Sequence, residues 1–78
     1  MADRLIELFS EILDVPHERL NNNSSPDNIK EWDSLAAINL AAAIEDAFTI
    51  ELTTQEITKM RTIGIVREVL REKGVIDV

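Results

Sequence analysis

Cysteine and tyrosine are absent from this chain, and it has only two glycines, two prolines and one histidine. Without cysteine there can be no disulfide, no thiol catalysis and no thiolate metal site. With His17 as the lone imidazole, zinc or iron ligation would have to rest mainly on carboxylates, an uncommon arrangement. Gly64 and Gly74 stand apart and cannot form a glycine-rich phosphate cradle. Basic residues are scarce too, eight against fifteen acids, so 78 residues carry a net charge of −7. That is the wrong sign for a counterion-displacing grip on nucleic acid or for a polybasic contact with anionic lipid. Long apolar runs are also missing. The stretch Leu35–Ile44, broken at Asn39, is about half of what a membrane span requires. Met1-Ala2-Asp3-Arg4 leads directly into an amphipathic pattern with no signal-peptide apolar segment. The expectation is a cytoplasmic protein with no membrane span and no nucleic-acid partner, steered by its charge toward basic surfaces.

An apolar content of 45% suffices for a globular core, and the length suits one domain over residues 1–78. From Asp3 to Asp14, Leu5, Leu8, Phe9, Ile12 and Leu13 recur at helical spacing, and Pro16 ends that helix near Asp14 or Val15. Pro16 to Asp33 is polar and rich in turn-forming side chains. Leu20, Ile29 and Trp32 are its large apolar residues and are expected to pin it to the core. Ser34 to Phe48 reads as a second helix with two apolar stripes. Ala37, Leu40, Ala41, Ile44 and Phe48 have core spacing, whereas Leu35, Ile38 and Ala42 line another side. Thr53-Thr54-Gln55-Glu56 has the form of a capping box opening a short helix through Met60. Thr62 can cap a last helix with Ile63, Val66, Val69 and Leu70 on one face and Gly74 as its stop. The fold class is therefore all-α: a four-helix bundle of three longer helices and one short one, with a long loop between helices one and two.

No catalytic constellation is present. Glu45 and Asp46 are adjacent, so they diverge on a helix and read as solvated acids rather than an acid/base pair. The run Asn21 to Asn28 reads as turn structure. Glu31-Trp32-Asp33-Ser34-Leu35 is different, because it delivers a serine to a helix start, where unpaired N–H groups and the helix dipole favour an anion. Asp33 or Ser34 as a plain N-cap is the simpler use of the same residues. Yet the outward stripe of Leu35, Ile38 and Ala42 begins beside the serine, as a docking face around a modified residue would.

These residues, Asp33-Ser34-Leu35 followed by Ile38, Leu40, Ile44, Glu45 and Phe48, resemble the signature of acyl carrier proteins, and the resemblance extends over essentially the whole chain. It implies that Ser34 bears 4'-phosphopantetheine taken from coenzyme A, whose thiol would hold acyl groups as thioesters. It implies partner recognition by Asp33, Leu35, Ile38, Ala42, Glu45 and Asp46, and core roles for Leu40, Ile44 and Phe48. It further implies a monomeric carrier rather than an enzyme. Its partners would be a phosphopantetheinyl transferase and acyl-loading and acyl-processing enzymes with basic or apolar docking patches. Glu31 and Trp32 stand where housekeeping carriers have small residues, and Ala36 and Asn39 stand where they have acids, which points to a specialised pathway. The cargo stays open among fatty, hydroxy, malonyl-type and aminoacyl groups. A peptidyl or aminoacyl carrier and an unmodified helical adaptor are the alternatives.

Overall fold

Each of the four α-helices begins on a side-chain oxygen. In the computed structural model, which describes residues 3–75, the helices are α1 (Arg4–Leu13), α2 (Ser34–Phe48), α3 (Thr54–Lys59) and α4 (Ile63–Glu72). Asp3 caps α1 through the N–H groups of Leu5 and Ile6, and Asp33 caps α2 through that of Ala36. Thr53 and Glu56 form the expected reciprocal capping box on α3, and Thr62 caps α4 through Ile65. These caps satisfy donors that a helix start otherwise leaves bare. Among the described residues there is no strand.

Three of the helices also stop alike. After α1, α2 and α4 the chain turns through a positive φ at Asp14 (56°), Thr49 (55°) and Gly74 (91°). The N–H groups of Val15, Ile50 and Val75 then reach back to the carbonyls of Ser10, Glu45 and Leu70. Of those three turn residues only Gly74 lacks a Cβ, so Asp14 and Thr49 adopt a conformation that L side chains resist.

Leu5, Phe9 and Leu13 of α1 meet Leu40 and Ile44 of α2 and Ile63, Val66 and Leu70 of α4 in one core. Ala41 is also buried, while Ala37 and Phe48 are partly buried against the same core, so the inward stripe read from the sequence is the one that packs. The short α3 buries no residue fully and leans on α4.

The long loop completes the core with Val15, Leu20, Ile29 and Trp32, all buried. Trp32 meets Phe9 edge-on, with ring centroids 5.1 Å apart. The loop is more ordered than its polar composition suggests. It opens with a 3₁₀ turn at His17–Arg19, which the sequence reading leaves as plain loop. The turn forms because the Pro16 and His17 carbonyls accept from Arg19 and Leu20. Ser24 is buried and its Oγ accepts from the Asn21 N–H at 2.9 Å. Asn28 Oδ1 accepts from the Ser25 N–H, and Asn28 Nδ2 donates to the Asn23 carbonyl. The asparagine run thus folds the loop onto itself, as its turn chemistry predicts.

The loop is then fastened to the start of α4. The N–H groups of Ile63 and Gly64, the first two of that helix, donate to the carbonyls of Ser24 (3.1 Å) and Asn22 (2.9 Å). A Cβ at position 64 would lie 3.1 Å from the Asn22 carbonyl oxygen, so glycine permits the approach. Arg67 strengthens the junction. Its Nε donates to Asn22 Oδ1 at 2.6 Å, and its other nitrogens pair with the Asp3 carboxylate. One guanidinium therefore links the starts of α1 and α4 to the loop.

Burial pushes the Asp3 carboxyl up, but the hydrogen bond and charge of Arg67, with the Ile6 and Leu5 N–H groups, outweigh it and hold the group below the ordinary aspartate value of 3.8. A depressed folded-state pKa contributes stability above the unfolded value, and that contribution is lost as pH falls through the folded one. Asp3→Asn keeps an N-cap acceptor while removing the charge. The variant should melt below the parent at neutral pH. The gap should close as the pH drops below 3.8, which parallel melting curves across pH will show. A second expectation concerns Thr49, exposed at the end of α2. Thr49→Gly should raise stability by about 0.5–1 kcal/mol, the relief of left-handed strain less the extra unfolded-state entropy of glycine, measured by urea titration.

Candidate functional site

Ser34 is the first residue of α2, and its position follows from what precedes it. Ile29 and Trp32 are buried, and the Trp32 N–H donates to the Ile29 carbonyl at 3.0 Å, closing a turn just before the helix. Glu31, between them, points outward to Arg19 of the 3₁₀ turn, at 3.1 and 3.4 Å. The Arg19 hydrogen bond holds the Glu31 carboxyl below the usual glutamate range. Asp33 then caps α2, with its Oδ1 2.9 Å from the Ala36 nitrogen. The cap is thus Asp33 and not Ser34.

Ser34 is left exposed. Its hydroxyl makes no hydrogen bond to any described residue, and the N–H groups of Ser34 and Leu35 are likewise unmatched among those residues. An anion on the hydroxyl would sit at the positive end of a four-turn helix beside two open donors. The other three serines of the chain are engaged. Ser10 Oγ donates to the Val15 carbonyl at 2.6 Å, Ser24 is buried, and Ser25 Oγ accepts from the Asp27 N–H. The residues at Ser34 therefore fit a covalent phosphoester: an accessible nucleophile with a favourable field for its charge.

On the outer side of α2, Leu35 is 68% and Ile38 66% exposed, and Ala42 is exposed as well. The outward stripe is therefore a real surface, uncovered by any described element. Glu45 and Asp46 differ from each other. Asp46 is exposed, whereas Glu45 is partly buried and its Oε2 accepts the Leu52 N–H at 2.8 Å. Glu45 thus fastens the chain leaving α2, a role that adjacency in sequence did not reveal.

A shallow depression of about 330 Å³ lies beside Ser34, lined by Pro26, Trp32, Asp33, Ser34 and Ala37. Sequence reasoning missed it, because Pro26 comes from the loop and only the fold brings it to the head of α2. Among the described residues no cluster of His, Cys, Asp and Glu could hold a metal ion, and no helix is long and apolar enough to cross a membrane.

Comparison with known proteins gives the family. The family model described as a phosphopantetheine attachment site matches residues 3–70. The acyl carrier protein of Wolinella succinogenes is 35% identical over 66 residues, covering 73% of this chain and 84% of that protein. Those of Buchnera aphidicola from Schizaphis graminum and from Acyrthosiphon pisum (strain Tuc7) are 32% and 30% identical, over 77% and 81% of this chain and 76% and 79% of theirs. The protein is a carrier rather than a catalyst, acted on by a modifying transferase and by acyl-processing enzymes. An all-helical bundle, an acidic surface and a matched attachment-site region put this chain in the acyl carrier protein family, with covalently attached 4'-phosphopantetheine as its prosthetic group.

Proposed function

We propose that Ser34 is the attachment residue, that Leu35, Ile38 and Ala42 are the surface gripped by partner enzymes, and that residues 1–78 act as one carrier domain, a cytoplasmic monomer. The observation that carries this reading is the state of the serines: Ser34 alone among the four has an exposed hydroxyl free of hydrogen bonds to described residues. Ser34 Oγ would form the phosphoester bond as the pyrophosphate bond of coenzyme A breaks and the adenosine bisphosphate half leaves. The serine proton would pass to a base on the transferase. Asp33 holds the first turn of α2 in place through its cap on the Ala36 N–H, and the N–H groups of Ser34 and Leu35 stay open to the phosphate. When attached, 4'-phosphopantetheine supplies a flexible arm ending in a thiol, which carries the acyl group as a thioester. The thiol is one that a chain without cysteine cannot provide itself.

Recognition by partners should be more apolar than the net charge of −7 suggests. Ala36 and Asn39 are neutral, so the rim of the Leu35–Ile38 patch is weakly charged, and the internal bond of Glu45 to Leu52 takes a further acid partly out of use. Asp46, exposed and one residue on, stays available to a basic partner, as does the exposed Asp33. Charges at a rim chiefly set association rate, whereas a buried apolar anchor governs dissociation.

Two measurements test the reading. Ser34→Ala should retain the parent's stability to within about 0.5 kcal/mol, since Asp33 does the capping, yet gain no mass on incubation with coenzyme A and a broad-specificity transferase. Loading that survives in the variant moves the site elsewhere. Ile38→Asp should lower kcat/KM for loading about tenfold, the effect of losing roughly 1.4 kcal/mol of apolar anchoring. Asp46→Lys should cost less and fade with added salt. The opposite ranking at moderate salt would mean the face is read chiefly through charge.

A further inference from the structure

Beside Ser34 the bundle carries a feature that the carrier reading leaves unused. The depression of about 330 Å³ has Ser34 itself in its wall, together with Pro26 and Trp32 from the loop and Ala37, about one helical turn along α2 from the serine. Its wall residues other than Asp33 and Ser34 are apolar. Trp32 is only 3% exposed, held by its edge-on contact with Phe9, so this side of the depression is a fixed surface and not a mobile flap. The indole N–H has no acceptor among the described residues, and no buried side-chain nitrogen or oxygen there lacks a partner. The N–H therefore reaches the surface.

We infer that Pro26, Trp32 and Ala37 form a resting site for the near end of the prosthetic arm, the branched apolar segment next to the phosphate. The inference rests on Ser34 being the attachment residue. Three observations support it. The occupant would be tethered to the wall of the depression, so its local concentration is high and even a weak apolar contact would be populated. The wall offers the apolar surface of Pro26, Trp32 and Ala37 to the methyl groups of that segment. Finally, the exposed patch of Leu35 and Ile38 lies on α2 outside the depression. An arm parked against Trp32 therefore leaves the partner-binding surface uncovered.

This makes Trp32 and Pro26 positioning residues for the arm. A resting arm is held on the loop side of α2 until a partner draws it away, and its swing begins from a defined direction. The consequence requires a large ring immediately before Asp33-Ser34, which Trp32 supplies here.

The test uses the protein labelled with carbon-13 and nitrogen-15 and loaded with an unlabelled arm, and it needs no destabilising variant. Intact mass first establishes loading. Nuclear Overhauser contacts are then sought between the arm's paired methyl groups and the protein. Trp32 is the sole tryptophan, so its indole N–H resonance is unambiguous. The expected result is contacts to the Trp32 ring and to Pro26, a shift of the indole N–H on loading, and loss of both in Pro26→Asp, which sets a charge in an exposed part of the wall. Loaded protein without contacts to Trp32, and with an unmoved indole signal, overturns the resting site alone. Contacts to Leu35 and Ile38 instead would overturn it by placing the arm on the docking face. A protein whose mass does not change overturns the attachment reading, and the resting site with it.

Discussion

The structure depends on two backbone hydrogen bonds, from the first two N–H groups of α4 to the carbonyls of Ser24 and Asn22. They solve two problems together. The start of α4 loses its unmatched donors, and a long polar loop gains a fixed point halfway along its length. The loop's buried residues lie on either side of that point, Leu20 before it and Ile29 and Trp32 after it, so each can pack without the loop having to choose among many paths. The position of Ser34 is inherited from this arrangement. The Arg67 guanidinium, shared between Asn22 and Asp3, draws the start of α1 into the same junction.

Most of the helices could be read from the sequence because each carries its own punctuation. Asp3, Asp33, Thr53 and Thr62 are caps where the pattern of apolar residues begins, and Pro16 and Gly74 mark ends. The inward stripe on α2 was legible for the same reason, since helical spacing alone separates Leu40 and Ile44 from Leu35 and Ile38. The loop was legible only as chemistry. Its asparagines and serines announced turns, but not which carbonyl would face α4, because that pairing spans some forty residues and has no local signature. The role of Glu45 was hidden likewise. A carboxylate that closes a turn seven residues on looks, in sequence, like any surface acid. The depression beside Ser34 joins Pro26 to Trp32 and Ala37, a juxtaposition set by the fold.

The departures from the usual carrier pattern acquire physical meaning in the structure. Trp32, where a small residue is usual, is a core residue packed edge-on against Phe9 of α1. Glu31, beside it, is paired with Arg19 across the loop. Neither adds charge next to Ser34. The loop is thereby tied more firmly to the bundle, while α2 presents a helix that is apolar inside and nearly apolar outside. A protein with a strongly acidic surface overall thus offers one face on which shape and apolar contact can outweigh charge.

Ser34 and Ile38 lie on one helix, separated by about 6 Å of rise, and the helix start is held through Trp32 and Phe9. If Ser34 is the attachment residue and Leu35 and Ile38 the docking face, as proposed, the pivot of the carrier is in fixed register with the surface its partners grasp. On that proposal, an enzyme that seats Leu35 and Ile38 correctly would, in the same act, align the origin of the arm with the mouth of its own active site. Alignment and capture are a single event, and an error in one is an equal error in the other.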